Sequence, residues 1–389
     1  MDNHRKVIVI GGNHHNTLGV VRSLGRKGIK PIVIITKSGS EKILASKYVG
    51  KGYSVEGSEA ALALLNDFFL HESLKPVVIA CHDNISSLLD LNRDKLKNYF
   101  ILPGTAVQGR VTKVMNKQRM ALLAEKVGMK VPNTLVLNSS SIISGEQLTM
   151  PCITKPLASR DGSKSEIKIC YNKDELYAFL SKEKGRNFLV QQYIDKEIEF
   201  QLIGCSLNEG KEVIIPGVSV IIRQPLNTNT GFLHYTSLNS TFDKTIEATQ
   251  KFFCSIQYNG LFSAEFLRGR DGTDYFMEVN FRNDGNSIAV TNAGVNLPYI
   301  WFLASSGMDY KKEIHPVHDE YVMPEFAELD LLANRSISKK QWKADMRLAT
   351  SYMDYAEDDP APTDGWKRYK KAKRQALLKR FVNSIIKRK

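Results

Sequence analysis

Two glutamates, Glu265 and Glu278, stand in consecutive β-rich runs, NGLFSAEFLRG and DYFMEVNFRN, separated by the turn RGRDGTD. Strand periodicity of two places Glu278, Asn280 and Arg282 on one face, and a hairpin through that turn brings Glu265 opposite them. Two carboxylates and an amide oxygen are hard donors that suit Mg²⁺ held jointly with substrate phosphates. An adjacent arginine can clamp a transferring phosphoryl group. On a solvated strand face the same residues would make ordinary cross-strand charge pairs.

Lysines supply the opposite charge. Lys155 ends the apolar run MPCITKP and precedes the loop LASRDGSKS, whose small residues, Ser163 among them, can turn backbone N–H groups toward phosphates. Lys117, at the start of a helical stretch, is a second candidate cation. Either lysine alone also fits a plain surface position. The segment LVQQYIDKEIE offers an extended backbone for the edge of an adenine, with Glu197 within reach of ribose hydroxyls.

The elements that must position these groups follow from apolar periodicity. Over the first hundred residues, short β-branched runs (6–10, 31–35, 76–80) alternate with amphipathic stretches (17–27, 59–70), which predicts βαβ units on a parallel sheet. The turn after the first strand, GGNHHNTLG, departs from G-x-G-x-x-G, so a dinucleotide site is not expected there. It can still offer N–H groups to an anion or serve as a plain tight turn. A single helix is expected over 111–128, ending at a glycine. Strands follow at MPCITKP, EIKIC, FLVQQYI and EIEFQLIGCS, with helices over 173–182 and 241–255. The stretch VIIRQPLNTNTGFLHY reads as a loop, and YAEDDPAPTDG as a linker.

In this order the pieces resemble the ATP-grasp superfamily, carboxylate-amine ligase type, similar to D-aspartate ligase-like and D-alanine:D-alanine ligase-like enzymes. NKQRMALLAEKVGMKVPNT, MPCITKP with DGSKS, LVQQYIDKE, NGLFSAEF, and YFMEVNFR with AGVNLP carry the likeness. It implies an α/β chain: an N-terminal parallel-sheet pre-ATP-grasp domain (1–112), a two-subdomain α+β ATP-grasp fold (113–325, dividing near 196), and a C-terminal extension (326–389) with a basic amphipathic helix. It also implies ATP and Mg²⁺ as cofactors and an ADP-forming ligase that joins a carboxylate to an amine through an acyl phosphate. Lys117, Lys155 and Ser163 would contact phosphates, Gln191, Gln192 and Ile194 the adenine, and Glu197 the ribose. Glu265, Glu278 and Asn280 would hold Mg²⁺, and Arg282 would stabilise the transferring phosphoryl. Many relatives carry Glu where this chain has Gln191, and Glu199 shares a strand face with Glu197 and is its rival for the ribose or a substrate contact.

Small-molecule carboxylate and amine substrates are the expected partners, with contacts sought at Asn13, His14, Arg223 and His234; a homodimer is compatible with this scheme. Cell-envelope or capsule biosynthesis is the expected setting. The alternatives are a D-aspartate-like ligase of peptidoglycan precursors and a nucleotide-binding scaffold without catalysis.

Composition bounds the rest. The 389 residues are 42% apolar and 24% charged, enough for more than one packed domain. No apolar stretch approaches the roughly 20 residues that cross a bilayer, and a cytoplasmic location is expected. Five scattered cysteines without C-x-x-C pairs suggest neither a disulfide framework nor a zinc cluster. Eleven Lys and Arg with no acid lie between Trp366 and Lys389, which leaves +2 of the net +13 for the body. Nucleic acid is therefore disfavoured as a partner. The tail reads either as a helix packed on the body or as an interfacial helix on anionic membrane at the inner face of the cell membrane.

Overall fold

The computed structural model describes residues 5–37, 42–68, 72–138, 148–156, 167–183, 185–223, 231–333 and 335–364. The loop containing Ser163, positions 224–230 and the basic segment from Trp366 onward lie outside the described residues.

The amino-terminal runs form β1 (Val7–Gly11), β2 (Ile32–Ile35), β3 (Lys51–Ser54) and β4 (Val77–Ala80), a parallel sheet in the order β3-β2-β1-β4. VIVIG and VVIA are buried throughout, as parallel strands covered on both faces must be. Alternation sends Val7 and Val9 into one core, with Val20 and Leu24 of α1 (His15–Gly25). Ile8 and Ile10 enter another, with Ala61 and Leu65 of α2 (Gly57–Phe68) and Leu89 of α3 (Asp83–Leu91). The Gly11 of the first turn is dictated by crowding, since a Cβ there would stand 2.3 Å from Thr17 Oγ1 and 2.7 Å from Cys81 Cβ. A short α4 (Arg93–Leu96) follows.

The expected single helix over 111–128 is in fact two, α5 (Arg110–Val114) and α6 (Lys117–Lys126). Asn116 makes the break: its side chain accepts from Arg119 N and caps α6.

A second sheet, antiparallel and ordered β5-β8-β6-β7, comprises β5 (Thr134–Asn138), β6 (Cys152–Pro156), β7 (Lys168–Cys170) and β8 (Asn187–Gln192). One face buries Cys152, Cys170, Phe188 and Val190 against Leu176 and Leu180 of α7 (Lys173–Leu180). The other face carries Thr134, Ile153, Lys155 and Gln191.

The third sheet contains β9 (Lys196–Leu207), β10 (Glu212–Ile214), β11 (Gly217–Arg223), β12 (Phe232–Ser237), β13 (Gly260–Gly269), β14 (Asp274–Asn280), β15 (Glu320–Met323) and β16 (Ser351–Tyr352). Its order is β14-β13-β9-β11-β12-β15-β16, with β10 pairing β9. Phe200, Leu202, Ala264 and Phe266 pack on Phe252 and Phe253 of α8 (Asp243–Ile256). The opposite face buries Ile203, Cys205 and Leu233 against α9 (Ser287–Asn292), α10 (Leu297–Ser305) and the amino-terminal sheet. Farther along that face stand Gln201 and Glu265.

Two sequence expectations need correction. The stretch 220–235 is a strand pair on either side of positions 224–230, because its β-branched and aromatic residues alternate. The supposed linker is packed: Asp359 is 1% exposed and Thr363 fully buried, and both Asp354 and Asp359 receive Arg22 of α1. Helices α11 (Glu325–Ala333) and α12 (Lys339–Leu348) precede it. No helix among the described residues is long and apolar enough to cross a membrane.

Candidate active site

The β13–β14 register sets Glu265 directly opposite Glu278 and Ser263 opposite Asn280, so the two carboxylates and the amide share one face. Asn280 Nδ2 donates to Glu265 Oε1 at 2.9 Å, and Gln201 Nε2 donates to the same oxygen at 3.3 Å. Burial, then the neighbouring Glu278 and Asp284 carboxylates, push the Glu265 carboxyl well above its ordinary range. A sunken carboxylate whose direct partners are two amides lacks a countercharge, and a divalent cation would supply it. Among the described residues no group of three or more His, Cys, Asp and Glu side chains is arranged to hold a metal ion. The donor set is therefore sparse, two carboxylates with Asn280 Oδ1, as suits Mg²⁺ that takes its remaining oxygens from phosphates and water.

Arg282 lies just past the end of β14. Its Nη2 donates to Asn280 Oδ1 at 3.0 Å, its Nη1 to Asp284 Oδ2 at 3.0 Å, and its Nε to Asp83 Oδ1 at 3.1 Å. Burial opposes its charge, but Asp83 and Asp284 outweigh that and raise its pKa. On the other side Lys117, first residue of α6, brings Nζ to 3.8 Å from Glu278 Oε2.

Facing these groups is the polar face of the second sheet. Thr134, Gln191 and Ile153 lie in register across β5, β8 and β6. Lys155 Nζ donates to Gln191 Oε1 at 2.8 Å, and Gln191 Nε2 donates to Thr134 Oγ1 at 3.0 Å. Burial first, then Lys117, lower the Lys155 pKa to about 8, against the pull of Glu278, Glu265 and Glu199. Between the sheets lies a cleft of about 750 Å³ lined by Lys117, Lys155, Gln191, Gln192, Glu265 and Glu278. Val136, Leu189, Ile194, Leu267 and Met277 give it apolar walls of the kind a purine needs.

The two glutamates of the KEIE segment separate. A register shift opposes Ile198 to Arg268 and Lys196 to Gly269, leaving Glu197 as an extra residue. The shift brings Lys196 and Glu199 to the same side, where they pair and line the cleft. Glu197 is exposed and does not line it.

The acceptor candidates also divide. Arg223 is bound to Glu328 at 2.6 Å and Asp345 at 2.8 Å, away from the cleft. His234 pairs with Val220, on the face opposite Gln201, and stacks on Tyr321 with ring centroids 4.2 Å apart. His14 caps α1, its Nδ1 accepting from Asn16 N at 3.3 Å, and its pKa is lowered to about 4 by desolvation and by His15, His82 and Arg282. Asn13 Oδ1 accepts from Ile43 N at 3.3 Å. Both stay at the first βα turn, near the 283–286 loop: a Cβ on Gly285 would stand 2.7 Å from His15 Nε2.

Sequence reasoning missed Thr134, Gln201, Asn286 and Asp83. Gln201 carried a usable signal, because it follows Glu199 at strand spacing. Asn286 Nδ2 donates to Gln201 Oε1 at 2.7 Å, a contact across 85 residues that no local pattern announces.

No protein-family model matches the chain. It is 22% identical over 325 residues to the D-aspartate ligase of Enterococcus faecium strain Aus0004, covering 76% of each protein. Among solved structures it resembles an L-amino acid ligase from Bacillus licheniformis, with TM-score 0.63 and 16% identity over 82% of this chain and 81% of that one. It also resembles an N5-carboxyaminoimidazole synthetase from Staphylococcus aureus complexed with ADP, with TM-score 0.66 and 17% identity over 86% and 87% of the two chains. A parallel amino-terminal sheet followed by an antiparallel sheet and a mainly antiparallel one around a cleft is thus the ATP-grasp architecture. The chain therefore has the fold of the ATP-grasp enzymes and is similar in sequence to a D-aspartate ligase.

Proposed function

We propose that the chain binds MgATP in the cleft between its second and third sheets and joins a carboxylate to an amine. The convergence of Lys155 and Gln191 from one sheet with Glu265, Glu278 and Asn280 from the other carries this assignment. A substrate carboxylate oxygen attacks the γ-phosphorus, the bond to the β-phosphate oxygen breaks, and ADP leaves with an acyl phosphate formed. The amine then attacks the acyl carbon, loses its proton, and expels inorganic phosphate. Phosphoryl transfer asks a protein mainly for positioning and charge neutralisation. Lys155 and Lys117 would hold the phosphates, Gln191, Gln192 and Ile194 the adenine side, and Arg282 the transferring group. Glu265, Glu278 and Asn280 would hold Mg²⁺, which when bound neutralises the phosphate charge. Glu199, rather than Glu197, is assigned to the ribose on its place in the cleft.

Similarity over 76% of the chain to a D-aspartate ligase favours an amino acid as the carboxylate and cell-envelope polymers as the setting. The test is hydroxylamine trapping. With ATP, Mg²⁺ and a panel containing D-aspartate, D-alanine and L-amino acids, one acid should yield ADP and an acyl hydroxamate together. Tight ATP binding with no product from any acid, with or without an amine, would favour a scaffold instead. A peripheral place on anionic membrane is proposed from the eleven cations that follow Trp366. Equal sedimentation of full-length and Trp366-truncated protein with anionic vesicles would refute it.

A further inference from the structure

The guanidinium of Arg282 has five N–H donors, and the structure engages four of them: Nε with Asp83, Nη1 with Asp284 and the Asn283 carbonyl, and Nη2 with Asn280. The second Nη2–H has no protein acceptor among the described residues. This leaves one donor, on the nitrogen that also holds Asn280, whose own amide donates to Glu265 at the edge of the cleft.

Three of the four acceptors belong to residues 280–284 and move with Arg282. Asp83 does not. It is the first residue of α3, at the carboxyl end of β4 in the amino-terminal sheet, and it is fixed from behind. His82 caps the helix through Nδ1, which accepts from Ile85 N at 3.4 Å, while its Nε2 meets Thr36 Oγ1 at 3.1 Å. The segment after Asn280 is tied to the same sheet end. Ser86 Oγ donates to the Phe281 carbonyl at 2.7 Å, Asn283 N donates to the Ala80 carbonyl at 3.0 Å, Asn16 Nδ2 donates to the Asn283 carbonyl at 2.9 Å, and Asn283 Nδ2 donates to Asn16 Oδ1 at 2.6 Å. These contacts lie at the point where the strand order β3-β2-β1-β4 reverses direction, the crevice where open α/β sheets gather their functional groups.

We propose that Asp83 is a positioning residue: through its bond to Arg282 Nε the amino-terminal sheet sets the plane of the guanidinium, and with it the direction of the remaining Nη2–H toward the transferring phosphoryl. The inference rests on the MgATP site proposed above. Asp83 is half exposed, with 48% of its side chain accessible, against 13% for Arg282, so the acceptor can be removed without opening a core. What Arg282 needs from position 83 is a fixed acceptor rather than a second negative charge, since Asp284 already pairs with it.

The test compares MgADP binding with and without aluminium fluoride, a planar mimic of the phosphoryl in transfer, by calorimetry on the full chain and its variants. The unaltered protein should bind MgADP and gain affinity at least about tenfold with the fluoroaluminate, the scale of one charged hydrogen bond. Asp83→Ala should bind MgADP within about threefold of the unaltered protein yet lose most of the gain. Asp83→Asn, which keeps an acceptor oxygen, should keep it. Retention of the full gain by Asp83→Ala overturns the proposal, as does loss of the gain in Asp83→Asn or parallel loss of MgADP affinity and gain. Failure of the unaltered protein to bind MgADP would instead remove the nucleotide site and the positioning role together, whereas MgADP binding without any fluoroaluminate gain removes the positioning role alone.

Discussion

The Lys155 ammonium is held 2.8 Å from Gln191 Oε1, so the cation assigned to the phosphates is aimed by the amide assigned to the adenine side. Because an ammonium can only donate, this contact also orients the amide, and its NH₂ reaches Thr134.

A pH dependence follows. With a pKa lowered to about 8 by burial, Lys155 is half deprotonated near that pH, while bound phosphates favour the ammonium. ADP affinity should be level below about pH 7 and fall through pH 8 to 9, with proton uptake on binding visible as buffer-dependent calorimetric heat. Gln191→Glu, which places a carboxylate beside the ammonium, should move the break to higher pH. An affinity independent of pH across this range in both proteins would contradict the assignment.

Glu265 makes the opposite kind of statement. Its folded-state pKa is raised above the ordinary value, so its contribution to stability is full at acid pH and is lost as pH rises through the folded-state value. Glu265→Gln should remove that decline and stabilise the metal-free protein at neutral pH. The gain should show as a higher melting temperature than that of the unaltered protein at neutral pH and should vanish at acid pH. The same change should abolish stabilisation by MgADP over ADP alone. Thermal melts in chelator, repeated at several pH values, check both; a destabilised variant that still responds to Mg²⁺ would be contrary.

Position in the cleft separates the adjacent glutamates. Glu199→Ala should weaken ADP binding by about tenfold, the worth of one hydrogen bond to a charged group, and Glu197→Ala should leave it unchanged. Equal effects in a binding titration would return the ribose assignment to Glu197.

The C-terminal segment should matter for stability. Arg22 and Asp359 are 2% and 1% exposed and lie 3.0 Å apart, with Ser46 and the Lys47 N–H also donating to Asp359. Removing one partner strands a buried charge, so Arg22→Ala should cost about 3–5 kcal/mol in urea denaturation. Replacing both by apolar residues should cost less than the sum of the single changes.

How much of this was legible depended on range. The apolar runs VIVIG and VVIA announced a buried parallel sheet, and the turn between Glu265 and Glu278 announced a hairpin, because both patterns lie within one or two elements. Glu197 and Glu199 could not be separated because a single register shift near Arg268, on another strand, decides which faces the cleft. His234 was misplaced because strands occupy what read as a loop, and one position along a strand changes the face. Arg223 and the acidic run 354–359 depend on partners more than a hundred and three hundred residues away, which no periodicity records. Asp83 sits in a βα turn of the same kind as GGNHHN; its partner Arg282 lies 199 positions on.

The most direct measurement is a crystal structure of the chain with MgADP. The β-phosphate should lie within hydrogen-bonding reach of Lys155 Nζ, the cation between Glu265 and Glu278, and the purine against Val136, Ile194 and Leu267. A nucleotide bound outside this cleft, or a cation that leaves both glutamates untouched, would contradict the assignment at its root.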